Sequence, residues 1–260
     1  MIGLSVCGVG LLAPGLAGWA AARRVLAGEQ PYRYEALPEP KPDMLPPNER
    51  RRGARTVRWA IAAAREALAG SGIAAADASP VCASSSGDGE IVVQIMNALA
   101  QPAREVSPTR FHNSVHNAAA GYWSIACGSR RGAVTLCAHD ASFGAALLEA
   151  AAQIHAGESA VLLLVYDLPY PEPLLAVRPI REPLAVALAL CGEARTPALA
   201  RWSVALAPRP ATIAPMPISE LASNPAAQAL PLLAALARNQ SASLHVGLAG
   251  GGALAVRTRP

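Results

Sequence analysis

Val134-Thr135-Leu136-Cys137-Ala138-His139-Asp140-Ala141-Ser142-Phe143-Gly144 carries an apolar, β-branched stretch into a polar corner and on into an Ala- and Leu-rich segment. The spacing predicts a strand over about Ala133 to Ala138 and a helix from about Phe143 to Ala156, stopped by Gly157. Ala160 to Tyr166 reads as a second, buried strand. A strand that enters a helix through a polar corner holds the corner rigidly at the helix N-terminus. The helix dipole there lowers the pKa of a thiol, so nucleophiles of acyl transfer are well served by such a place. Here the corner offers His139, Asp140 and Ser142, while Cys137 lies earlier, on the strand. Asp140 also suits an N-cap. The residues alone leave capping and catalysis both open.

The alternation extends outward from this segment. Residues 2–12 read as a buried strand, followed by a turn at Ala13-Pro14-Gly15 and a helix over Leu16 to Ala27. Residues 30–48 carry Pro31, Pro38, Pro40, Pro42, Pro46 and Pro47 and read as an extended surface loop. Ala54 to Leu68 places Val57, Ile61, Ala64 and Leu68 at helical spacing. A short strand over Val81 to Ser84 leads into a helix over about Glu90 to Leu99, and another helix covers about Asn117 to Cys127. Leu184 to Cys191 is a further strand, Leu230 to Arg238 a helix, and Leu244 to Val256 a Gly-centred terminal strand region. Alternating strands and helices predict an α/β layered core with largely parallel strands.

Composition narrows the function classes. Of 260 residues, 52% are hydrophobic and 15% charged, which favours a folded chain with a large core. Aromatics are only 4%, so Ala, Leu and Val fill that core and allow close approach of elements and of another subunit. The net charge of +4 rests almost wholly on Arg, with Lys41 the only lysine. Glu49-Arg50-Arg51-Arg52-Gly53-Ala54-Arg55, continuing to Arg58, is a single short basic run. It lacks the stripe and interleaved aromatics of a nucleic-acid face and reads as a solvated or acid-pairing surface. Five cysteines, Cys7, Cys82, Cys127, Cys137 and Cys191, form no C-x-x-C pair. They are expected as reduced, buried thiols in a cytoplasmic protein. No signal peptide and no membrane span is expected.

Two further motifs carry alternatives. Ser84-Ser85-Ser86-Gly87-Asp88-Gly89 follows a strand and precedes a helix, as a phosphate cradle would, but matches no phosphate-loop pattern and serves equally as a tight turn. Phe111-His112-Asn113-Ser114-Val115-His116-Asn117 spaces His112 and His116 by four, one face if helical. With no acid between them and no third ligand in sight, His112, His116 and Asn117 are expected as structural polar residues and no metal is expected.

Three segments in order resemble landmarks of the β-ketoacyl synthase family, which has the thiolase-like fold. Gly3-Leu4-Ser5-Val6-Cys7-Gly8-Val9-Gly10 is similar to its first strand. Asn117-Ala118-Ala119-Ala120-Gly121-Tyr122 resembles its Asn-x-x-Ala-Gly-His helix, and Gln153 to Val161 the helix exit and strand after its nucleophile. Gly247-Leu248-Ala249-Gly250-Gly251 looks like the final glycine-rich loop, with Leu248 near the gating Phe. The resemblance implies one layered αβαβα domain over 1–260, with a synthase-like half at 1–167 and a reduced half at 168–260.

The departures set the functional expectation. Counting back from Gly157 puts Asp140 where the family has its acyl-accepting Cys. The family also uses two His from its second half, and after Asp167 only His245 remains. Homologues without the nucleophile are chain length factors, which pair with an active synthase, meet the acyl carrier protein through the complex and use no cofactor. The Phe111 to Asn117 pattern looks like that of short members from aryl polyene clusters. Ile91, Val92, Ile95 and Met96 are then the expected tunnel wall, or simply packing against the partner. Two rivals stand beside this reading. One is an acyltransferase or hydrolase using Ser142 or Cys137 with His139 or His116; the other is a scaffold that only solubilises the synthase.

Overall fold

The computed structural model describes residues 1–208, 210 and 214–260. Residues 209 and 211–213, part of the Pro- and Ala-rich stretch, lie outside the described residues. The chain opens with β1 (Ile2–Ala13), the two-residue β2 (Leu16–Ala17) and α1 (Trp19–Ala27). After the Pro-rich loop come α2 (Pro47–Arg52), α3 (Arg55–Leu68), β3 (Ser79–Ala83), α4 (Gly89–Leu99), α5 (Pro108–Asn113) and α6 (Ala118–Cys127). Then follow β4 (Val134–Leu136), α7 (Ser142–His155), β5 (Ala160–Asp167), α8 (Leu174–Val177) and β6 (Leu184–Gly192). The last elements are β7 (Ala200–Pro208), α9 (Leu230–Ala237), β8 (Ala242–Gly247) and β9 (Gly252–Arg259).

One mixed sheet runs through both halves in the order β4-β3-β5-β6-β1-β7-β9-β8. The expectation of largely parallel strands is corrected. Only β3 pairs parallel, with β4 and β5, and the other pairings are antiparallel. The reason lies between β5 and β6, where only the four-residue α8 forms. No long crossover helix intervenes, so β6 returns alongside β5 in the opposite sense. The helix expected over Leu16 to Ala27 begins at Trp19, after β2 has paired back onto β1. Five elements go beyond the sequence reading: β2, α2, α5, α8 and β7.

The sheet has two apolar faces. On one, Val57, Trp59, Ile61 and Ala64 of α3 and Trp123 of α6 pack on Cys82, Leu162, Leu164, Ala187 and Ala189. On the other, Phe143, Leu147 and Ile154 of α7, with Leu232 and Leu233 of α9, pack on Leu4, Val81, Leu163, Val186, Trp202 and Val256. α7 therefore lies against β3 and β5 and also meets β8 and β9. Small residues permit the closest approaches: a Cβ on Gly10 would strike the Ala63 carbonyl of α3, and one on Gly144 the Gly247 carbonyl of β8. Glu66 ties the layers polarly, accepting from Leu11 N at 3.0 Å and from Trp19 N at 2.5 Å.

Candidate functional site

The corner between β4 and α7 is a short 3-10 turn, His139–Ala141. The strand entering it is shorter than expected, Val134 to Leu136. His139 takes a positive φ of 52°, a strained value for a residue with a Cβ. Asp140 does not cap α7, whose N-cap is Ala141 with no side-chain bond. Instead the Asp140 carboxylate, 66% exposed, pairs with Arg178 Nη2 at 2.7 Å and faces His139 Nδ1 at 3.3 Å. Its main-chain carbonyl accepts from Gln228 Nε2 at 2.6 Å. Reach decides this outcome: Arg178, from the segment after α8, offers a full charge, while the amides of the first turn offer only partial ones.

The neighbouring hydroxyl and thiol serve the backbone. Ser142 is fully buried; its hydroxyl donates to the His139 carbonyl at 2.7 Å and accepts from Ala138 N at 3.1 Å. Cys137 Sγ lies 2.8 Å from the Ser85 carbonyl. His116 Nε2 lies 3.1 Å from the Ser84 carbonyl. The rival's residues therefore form no nucleophile–base pair: neither ring engages Ser142 Oγ or Cys137 Sγ among the described hydrogen bonds.

Behind the corner lies an acid that sequence reading passed over. Asp167, at the end of β5, is 0% exposed. Its Oδ1 accepts from Ser84 Oγ at 2.9 Å, Ser85 N at 2.9 Å and Ser85 Oγ at 2.8 Å. Its Oδ2 meets no partner among the described residues. Burial pushes its carboxyl up to about 6, with the three Ser bonds and Arg178 acting against that rise. Asn224 bonds the Asp167 carbonyl at 2.8 Å and the Glu182 carbonyl at 2.9 Å. The Ser-rich turn is thus a latch of β3 onto β5. The only signal for Asp167 in the sequence is a charge closing an otherwise apolar strand.

The remaining expected residues divide. His112, on α5, stands edge-on to Tyr122 with ring centroids 6.2 Å apart. α5 ends at Asn113, so His112 and His116 do not share a helix face. Asn117 precedes α6 and makes no side-chain cap bond. Among the described residues no group of three or more ligand-type side chains gathers. On α4, Ile91 is buried, whereas Val92 is 38% and Met96 62% exposed, with Ile95 between these extremes. Leu248 lies over the first turn of α7, beside Gly144, and the glycine turn at 249–251 meets the 139–141 turn.

A β-ketoacyl synthase N-terminal domain profile matches residues 22–249. The chain belongs to the β-ketoacyl synthase family. Among solved structures, the ketosynthase ApeO in complex with its chain length factor ApeC from Xenorhabdus doucetiae superposes with a TM-score of 0.74 at 24% identity. That match covers 99% of this chain and 100% of that chain. The ishigamide ketosynthase/chain length factor gives 0.74 at 13% identity, over 100% and 99% of the two chains. A β-ketoacyl synthase from Burkholderia phymatum gives 0.64 at 16% identity, over 92% and 71%. At such identities the likeness shows the fold. No curated protein sequence matches the chain.

The thiolase-like fold is thus present with its second half cut down. β7, β9 and β8 extend the single sheet, and Ser203 and Ala205 are part-buried while Arg257 is exposed. Within this β-ketoacyl synthase family chain, the corner holds a carboxylate tied to Arg178. No described helix is long and apolar enough to cross a membrane.

Proposed function

We propose that the chain is a non-catalytic chain length factor, acting as one unit, that pairs with an active ketoacyl synthase in the cytoplasm and helps wall its acyl tunnel. The observation that carries this reading is the corner itself. Asp140, which the count back from Gly157 sets at the nucleophile's position, is held by Arg178, while Ser142 and Cys137 are committed to main-chain carbonyls. A carboxylate in an ion pair is a poor acyl acceptor, and a lone His245 after Asp167 cannot supply two decarboxylating imidazoles.

A second observation supports pairing. Val92, Met96 and Leu99 of α4, Phe111 of α5, Val115 between α5 and α6, and Ile125 of α6 are each 38% exposed or more. β4 is an edge strand whose outer side has no strand partner among the described residues. Exposed apolar residues and an open strand edge each suit a protein partner. In this reading Ile91 faces inward, and Val92, Ile95 and Met96 complete the tunnel wall only on assembly, as in an aryl polyene or polyketide condensing complex. The acyl carrier protein meets the chain through that complex.

The deciding experiment is co-expression with a ketoacyl synthase, loading from an acyl carrier substrate, and intact mass of both chains. One-to-one co-purification with acyl mass on the synthase alone is the expected result. Acyl mass on this chain would instead make it an enzyme in its own right. Ile91→Trp and Met96→Trp should shorten the product; unchanged length would leave only a solubilising scaffold.

A further inference from the structure

The arginine run of the sequence is mostly accounted for by surface pairs. Arg50 pairs with Asp43 at 3.5 Å, Arg52 with Glu49 at 3.9 Å and Arg55 with Glu39 at 2.5 Å, and Arg51 donates to Asn48. Arg58 is different. It has no carboxylate within salt-bridge reach among the described residues, and its Nε is buried with no hydrogen-bond partner. The residue itself is only part-buried and lines an open groove, where its guanidinium is not committed to any carboxylate among the described residues. Arg110 of α5, equally without a carboxylate partner, lines the same groove.

That groove is built rather than incidental. It is a cavity of about 370 Å³ between α3, α4 and α5, and it presents four arginines against three carboxylates. Two of the acids are already engaged: Asp88 accepts from Thr56 Oγ1 at 2.8 Å and from Ile91 N at 3.0 Å, and Glu39 holds Arg55. The third, Glu90, accepts from Gln94 Nε2 at 3.2 Å. The walls are pinned by hydrogen bonds. Asn113 Nδ2 donates to the Arg52 carbonyl at 2.8 Å and the Thr109 carbonyl at 3.0 Å, which fixes α5 against α2, while Thr56 fixes α3 to the start of α4. Arg58 and Arg110 are therefore held over one hollow by separate elements. Ile91 supplies an apolar patch at its floor.

We infer that this groove binds one small oxyanion, a carboxylate or a phosphate, gripped by Arg58 and Arg110 with its apolar part against Ile91. Two guanidinium groups favour planar or tetrahedral oxyanions through paired N–H donors. The inference does not rest on the chain-length reading, because an inactive scaffold and an active enzyme would hold the groove alike.

The test is calorimetric titration of the purified chain, or of its complex with the synthase, with inorganic phosphate and separately with benzoate at low salt. The expected result is one saturable site per chain with a Kd of about 1 mM or tighter for at least one probe. Phosphate alone would point to a phosphorylated source, and benzoate alone to an organic acid. Arg58→Met and Arg110→Gln should each weaken binding about tenfold. Arg24→Gln, the same charge change on α1, should leave it unaltered. Arg110 is exposed, so its variant keeps the test sound should Arg58→Met unfold. No saturable binding up to about 10 mM on a folded chain overturns the inference. So does equal weakening by Arg24→Gln, and so does capture of a polyglutamate peptide while neither small anion binds.

Discussion

Asp140 and Asp167 are neighbouring carboxylates in opposite circumstances. The first stands at an exposed corner, tied by one ion pair and one imidazole contact. The second is sealed at a strand end, takes three hydrogen bonds on one oxygen and none on the other. In an active site the corner would be the guarded place and the strand end a support. Here the guarded acid is the support, and the corner is exposed. The difference teaches that in this chain the carboxylate at the strand-to-helix corner is a surface group, whereas the one at the strand end is structural.

The largest expected effect is on the latch. Asp167→Ala would orphan the Ser84 and Ser85 hydroxyls and the Ser85 amide, at about 1–3 kcal/mol for each buried group. Urea unfolding at pH 5 should show a loss of about 3–5 kcal/mol. Asp167→Asn, which keeps an acceptor, should lose much less. Equal losses in the two variants would mean that the hydrogen bonds at Oδ1 are not what holds the turn.

The next effect is a pH dependence. Burial raises the Asp167 carboxyl to about 6 in the folded chain, above the ordinary carboxylate value of about 3.9. An acid raised in the folded state favours folding when protonated. Its contribution is fully present below about pH 4 and is lost as pH rises through about 6. Relative to Asp167→Asn, the native chain should therefore lose up to about 3 kcal/mol of stability across that window. A flat difference between the two unfolding curves would place Asp167 in water.

The partner face comes next. Met96→Asp and Ile125→Asp alter exposed residues and should change stability by less than about 0.5 kcal/mol, yet abolish co-purification with the synthase. Retained co-purification would remove α4 and α6 from the interface.

The two acids also mark what a sequence shows. Continuous apolar runs made β1, β5 and β6 legible, and 3.6-residue spacing made α3 and α7 legible, each within a few residues. β7 was not read, although Trp202 and Val204 alternate with Arg201 and Ser203, because its Pro- and Ala-rich surroundings drowned a period-two signal. Strand direction was misjudged because it depends on whether a crossover helix forms, and α8 has only four residues. The corner was found through its strand-to-helix pattern. Its true polar partners were not, since Asp167 meets Ser84 across 83 positions and Asp140 meets Arg178 from another loop. Such contacts leave no local period.

The smallest expected effects lie at Asp140. Its pair with Arg178 is largely solvated on the acid's side, so Asp140→Ala should cost no more than about 0.5–1 kcal/mol and leave product formation by the complex intact. Asp140→Cys sharpens the point. A thiol there would sit beside the N-terminus of α7, where the helix dipole favours its thiolate. Condensation needs more: an acyl thioester must meet a carbanion freed by decarboxylation, with donors to hold the enolate oxygen. After Asp167 the chain offers only His245, on β8. Paired with a synthase whose own nucleophile has been removed, the Asp140→Cys chain should therefore yield no condensed product by mass spectrometry. Product from that pair would show that a missing thiol is all that separates this chain from a synthase, and that its remaining polar groups suffice for catalysis.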